Sequence, residues 1–257
     1  SQSYQSIHEL QLEYFNQHYV PEEIDDNAPS EIFGKSRRNM TPTAEIFGYH
    51  PYWMGTAWQN YNYSLLSTIA YFSAEATATG GLSNLHSWPI SGLINMAHSN
   101  GVDVVLVVTL FNNSDLITLL SSSTNRQNLI NNLITQVQAG NADGVNVDFE
   151  SMPSSQRDNM VTFITDLTAA FHSAIPGSQV TIAMPAVDWN NAWDFQALAQ
   201  TSDGLFIMGY DYHYSGSSTT GANAPLTGGS YNVTNTINTY LNETGGLANK
   251  IILGCPY

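Results

Sequence analysis

Between Gly144 and Glu150 the chain reads GVNVDFE. Taken alternately, Asn146, Asp148 and Glu150 fall on one side and Val145, Val147 and Phe149 on the other, the period-two pattern of a strand. At about 3.3 Å of rise per residue, Asp148 and Glu150 stand roughly 6–7 Å apart along one face, with Glu150 at the carboxyl end. If the strand is buried, holding two carboxylates inside is costly unless they are paired or hydrogen-bonded. Stability alone then does not account for them, and chemistry does. The alternative is a half-exposed antiparallel strand with its polar face in water. The elements around the strand decide between these readings.

From residue 45 the chain alternates short apolar runs with longer helical patterns. Strands are expected at 46–53, 67–73, 102–111, 143–150, 179–186, 203–211 and 250–257, and helices at 89–100, 125–139, 155–174, 192–200 and 231–243. Ser154 is a candidate cap for the third of these helices, and Asn232 or Thr234 for the last. The runs VVLVV, TIAM and IIL are continuous enough to be buried on both faces, as in a parallel sheet covered by helices. Such alternation means βαβ units, in a doubly wound sheet or a (β/α)8 barrel. No glycine-rich phosphate loop follows the first strand, which weighs against a nucleotide-binding sheet. Seven strands are one short of a barrel, so the chain is expected to lack the last β/α unit and to continue natively beyond Tyr257. Ahead of the barrel, residues 4–20 have helical spacing and PEEIDDNAPSE resembles an acidic linker. The expected division is therefore 1–43, helix and linker, and 44–257, barrel.

Composition narrows the partners. Only 6 Lys and Arg stand against 21 Asp and Glu, for a formal charge of −15. Such a surface does not neutralise phosphates, which argues against nucleic acid and anionic membranes. Polarity carried by Asn, Ser and Thr suits neutral, hydroxyl-rich ligands. With 42% hydrophobic residues in 257, a sizeable core can form. The lone Cys255 excludes an internal disulfide. No apolar run reaches membrane-spanning length, and the start at Ser1 without a leader fits an exported protein whose signal was removed. His50, His86, His98 and His172 are scattered, and no His/Asp/Glu set has the spacing of metal ligands. No metal or cofactor is expected.

DGVNVDFE resembles the fourth-strand signature of glycoside hydrolase family 18, the chitinase family, Asp-Gly-x-Asp-x-Asp-x-Glu. Asp143, Gly144, Asp148 and Glu150 match, and Asn146 departs. MGYDYH (Met208 to His213) is similar to the sixth-strand Met-x-Tyr-Asp, GYHPYW to the first strand, AMPA to the fifth and LGCPY to the seventh. The third-strand Ser-x-Gly-Gly is replaced by TLFNN. The likeness spans residues 46–257 and implies a (β/α)8 TIM barrel. Asn in the first Asp position also resembles the branch of spore-cortex and other peptidoglycan-lytic glucosaminidases.

The resemblance implies roles. Glu150 would protonate the leaving glycosidic oxygen, and the substrate's own 2-acetamido carbonyl would attack the anomeric carbon. Asp148 would hold the acetamido N–H, balance the oxazolinium and raise the proton affinity of Glu150. Asn146 could donate to Asp148 and keep it ionised. Tyr210 would donate to the acetamido oxygen, and Asp211 would bind a sugar hydroxyl or orient the acetamido group. Met208 and Met184 are expected on the floor of the site. Tyr49, Trp53, Phe72, Trp189, Tyr212 and His213 lie at or past strand ends, where aromatic faces could pack on sugars or simply fill the core. The implied function is a retaining glycosidase cleaving β-1,4 bonds beside N-acetylglucosamine in chitin, peptidoglycan or an N-glycan core. The alternative is a glycan-binding, lectin-like member without catalysis. A monomer in an extracellular, periplasmic or cell-surface location is expected.

Overall fold

The computed structural model describes residues 5–20 and 44–256; the stretch expected as an acidic linker lies outside the described residues. The strands are β1 (Phe47–Pro51), β2 (Thr68–Ala76), β3 (Leu82–Asn84), β4 (Asp103–Leu110), β5 (Gly144–Phe149), β6 (Gln179–Pro185), β7 (Gly204–Met208) and β8 (Ile251–Gly254). The helices are α1 (Ile7–His18), α2 (Ser91–Ser99), α3 (Asn113–Ser121), α4 (Ser123–Gly140), α5 (Arg157–Ala174), α6 (Phe195–Thr201) and α7 (Val233–Glu243). All seven expected strands form one parallel sheet in the order β1-β2-β4-β5-β6-β7-β8. The short β3 is additional and pairs antiparallel with the end of β2. α3 was likewise not expected from the sequence.

The sheet is curled. β1 and β7 stand five places apart, about 24 Å in a flat sheet at ~4.8 Å per strand. Yet the rings of Phe47 and Tyr49 on β1 lie only 5.4 and 5.0 Å from Phe206 on β7. This is the interior of a (β/α) barrel, and among the described residues no ladder joins β8 to β1. Outward residues such as Val145, Val147 and Phe149 are fully buried under the helices, with Phe149 stacked on Phe163 of α5 at 5.8 Å. The buried reading of the opening stretch is therefore the observed one.

Two equivalent clamps fix the strand starts. Asp143, just before β5, accepts from the Val104 N–H of β4 at 2.8 Å and sits 2.8 Å from His98 Nε2 of α2. Asp203, just before β7, accepts from the Val180 N–H of β6 at 2.8 Å and sits 2.9 Å from His172 Nε2 of α5. Each carboxylate ties a helix and a neighbouring strand to the strand it precedes. Gly144 follows at φ +155, where an added Cβ would lie 1.9 Å from the Gln179 carbonyl oxygen. The Asp-Gly pair is thus structural and sets the register of β5.

Asn232 caps α7 by accepting from the Asn235 N–H, which selects it over Thr234. Ser154 does not cap α5. It opens a 3₁₀ turn, Ser154–Gln156, and α5 starts after Gln156 without a side-chain cap.

Candidate active site

The inner face of β5 carries Asn146, Asp148 and Glu150 in a row, and the three are 0%, 0% and 6% exposed. Parallel pairing puts Thr109 of β4 level with Asp148 and Thr181 of β6 level with Asn146. Asn146 donates to Thr181 Oγ1 at 2.8 Å and accepts from the Tyr49 hydroxyl at 2.8 Å. The expected donation from Asn146 to Asp148 is thus replaced by a bond to β6. Asn146 positions Tyr49 and braces the row. Asp148 Oδ1 is buried and has no hydrogen-bond partner among the described residues, so this carboxylate keeps an acceptor in hand.

Above the row, the cleft of roughly 760 Å³ reaches Glu150, Met208, Tyr210, Asp211 and Tyr212, with Trp189 and Tyr231 on its rim. That is within the usual size range of ligand pockets, about 300–1,000 Å³. Burial, and then the charge of Asp148, push the Glu150 carboxyl above its ordinary value, against the opposing influence of His8 and Ser6. Glu150 therefore holds a proton more tightly than a free glutamate, as a general acid must. Burial likewise pushes the Tyr210 hydroxyl up to about 12, so it is a neutral donor at ordinary pH.

One neighbour comes from the far end of the sequence. His8, at the start of α1, enters the cleft. Its Nδ1 lies 3.0 Å from Asp148 Oδ2 and 3.1 Å from Glu150 Oε1, and its Nε2 lies 3.0 Å from the Tyr210 hydroxyl. Burial works against its charge. Tyr210, Asp148 and Glu150 outweigh that and raise His8 well above its ordinary value. The ring is seated between the carboxyl groups of Asp148 and Glu150, and that placement favours its protonated form. Together His8, Asp148 and Glu150 present donor atoms within 4.8 Å of one another. The expectation of no His/Asp/Glu set is thereby corrected, because the set is tertiary and linear spacing does not reveal it. The separations are between the side-chain atoms themselves, 3.0 and 3.1 Å from His8 Nδ1 to the two carboxyl groups.

The other expected site residues divide. Met208, Tyr212 and Trp189 line the cleft with Tyr210 and Asp211. Asp211 Oδ1 already accepts from Asn223 Nδ2 at 2.7 Å, and Tyr212 donates to Thr236 Oγ1 at 2.6 Å. Trp189 is 68% exposed, with its ring 4.5 Å from that of Tyr231. Tyr49 and Phe72 are internal and touch His8 rather than open space. Trp53 is covered by Phe15 of α1, stacked at 4.4 Å. Met184 is fully buried. Three residues along from Thr181, it points to the opposite face, toward the helices, and does not floor the site. His213 sits in the following loop 3.2 Å from the Ala222 carbonyl, away from the cleft. Sequence reasoning missed His8, Ser6, Thr181 and Tyr231. The parity of β6 could have flagged Thr181; nothing local marks the others.

A (β/α) barrel with an acid–base cleft at the carboxyl ends of its strands is the class that fold and site define. The chain belongs to the glycosyl hydrolases family 18, whose model matches residues 45–257. It is 31% identical over 143 residues to the Bacillus subtilis protein named as a sporulation-specific glycosylase, YdhD, covering 54% of this chain and 32% of that protein. It is 28% identical over 214 residues to rat di-N-acetylchitobiase, covering 78% of this chain and 50% of the relative. The chain thus spans a third to a half of these relatives' lengths. The Ostrinia furnacalis Group IV chitinase, solved in complex with allosamidin, superposes with a TM-score of 0.74 at 21% identity, over 83% of this chain and 66% of that one.

Proposed function

We propose that the protein is a chitin-type glycoside hydrolase that cleaves β-1,4 bonds next to N-acetylglucosamine with retention, using the substrate's acetamido group as nucleophile. The observation that carries this reading is the buried pair on β5: a Glu150 that favours its proton, next to an Asp148 with an unengaged acceptor oxygen. Glu150 gives its proton to the leaving oxygen and then takes one from the attacking water. Asp148 accepts the acetamido N–H and balances the positive oxazolinium. Tyr210 donates to the acetamido oxygen and turns it toward the anomeric carbon. Charge develops on that ring only in the transition state, so these contacts act on rate more than on binding. Trp189 and Tyr231 offer faces for a further sugar at the rim. The relative named as a di-N-acetylchitobiase supports a chitin-type polymer, and the likeness of the Asn146 motif to peptidoglycan-lytic glucosaminidases adds peptidoglycan as the second candidate polymer. Both polymers lie outside the cytoplasm, which supports an extracellular or cell-surface location.

The test is a panel of chitooligosaccharides, peptidoglycan fragments and glucosides lacking the acetamido group, with wild type and Glu150→Gln. Turnover should be confined to acetamido sugars. It should fall at least ~10²-fold in Glu150→Gln, as expected on removal of a general acid, while the variant still binds chitooligosaccharide. Comparable turnover of plain glucosides would contradict the reading.

A further inference from the structure

We propose that α1 is an intramolecular ligand of the catalytic cleft, with His8 as its head group, and that the enzyme is held inhibited until α1 leaves. The inference rests on the functional reading above, because it assigns the same three groups a second occupant. Asp148, Glu150 and Tyr210 are the groups an acetamido sugar would engage, and all three lie 3.0 or 3.1 Å from His8 nitrogens. A sugar ring and the imidazole ring therefore compete for one place.

The contact is built along the helix. Ser6 caps α1 by accepting from the Glu9 N–H at 3.0 Å, and is itself 3% exposed. Ser6 also acts on Glu150, opposing the rise in its proton affinity. The capped end, where the helix dipole is positive, faces Asp148 and Glu150 and adds to their attraction for His8. Gln5, Ser6, Ile7, His8 and Glu9 all line the cleft. One to three turns on, Leu12 is buried, Phe15 stacks on Trp53, and Asn16 both donates to Glu75 at 2.9 Å and accepts from the Tyr52 hydroxyl at 2.7 Å. The outer face is loosely held: Ile7, Leu10 and Tyr14 are 38%, 39% and 56% exposed. Few apolar side chains fasten the helix, so a sugar polymer that fills the cleft can displace it. The ligand class this adds to the site is an imidazole presented from a helix start between two carboxyl groups.

The test uses the full chain in three forms: wild type, His8→Ala, and Phe15→Ala, which loosens α1 without touching the cleft. Calorimetry measures binding of tri-N-acetylchitotriose to each in a Glu150→Gln background, so that turnover is not required. Both substitutions should tighten binding by tenfold or more. Hydrogen exchange in residues 7–18 should rise when the wild-type cleft is saturated with the trisaccharide. Equal affinities in all three forms, or unchanged exchange on saturation, would overturn the proposal. Should His8→Ala fail to fold, Phe15→Ala and the exchange measurement decide. If binding tightens but no form hydrolyses any acetamido sugar with Glu150 restored, α1 stands as a ligand and the hydrolase reading fails; the two failures are therefore distinct.

Discussion

Proton affinity at the residue scale is set by what lies beside each group. Burial, and then Asp148, push the Glu150 carboxyl above its ordinary value, so the alkaline limb of the rate profile should report Glu150 at a pH above that of an ordinary glutamate. Asn146→Asp tests this directly. The new carboxylate would accept from Tyr49 and meet the Thr181 hydroxyl, the partners Asn146 has now, so the fold should survive. A further negative charge on the row raises the proton affinity of its neighbours. The alkaline limb of kcat/KM should therefore move up in pH; an unmoved limb in an active variant would separate residue 146 from the acid. Trp189 plays a different part. It is exposed on the rim and away from the reacting bond, so Trp189→Ala should raise KM with kcat nearly unchanged, the pattern of lost uniform binding. A matched fall in kcat would place it in the chemical step instead.

At the scale of elements, the site exists because β5 is held in one register. The Asp143 clamp and the close approach at Gly144 set that register, and Asp148 and Glu150 follow from it by period two. Gly144→Ala would drive a Cβ into the Gln179 carbonyl at 1.9 Å. It should destabilise the fold by roughly 4 kcal/mol or more, the range reserved for changes of this kind, read as a lowered denaturation midpoint; a midpoint within about 0.5 kcal/mol of wild type would show that β5 shifts freely. This logic also explains what was legible beforehand. The inner strands β2, β4, β6 and β7 announced themselves as apolar runs because both their faces are buried. β3 is three residues with no buried position, and α3 follows β4 after only two residues, so its LITLL reads on from the strand's own apolar run. The row on β5 was legible through alternation, whereas on β6 the polar markers of parity, Gln179 and Thr181, come before the apolar stretch in which Met184 was misplaced. His8 was invisible for another reason: α1 looks like any amphipathic helix, and its contact lies 140 residues away.

Across the whole molecule, the N-terminal helix and the barrel share one electrostatic centre, and stability should reflect it. His8 is raised by its partners. Its contribution is therefore fully present below the ordinary histidine value near 6.5 and is lost as pH rises through the elevated value. The groups facing it are Asp148 on β5 and Glu150 just past its end, Tyr210 beyond β7 and Tyr49 on β1. The difference in Tm between wild type and His8→Ala should accordingly be present near neutral pH and shrink toward alkaline pH; a difference independent of pH would mean that His8 is seated uncharged. The chemistry itself is tested most directly by proton NMR of the first product released from a chitooligosaccharide, recorded with wild type and with His8→Ala before mutarotation. Attack by the acetamido group followed by attack by water inverts the anomeric carbon twice, so the expected product is the β-anomer. Initial release of the α-anomer would contradict substrate assistance at Asp148 and Glu150.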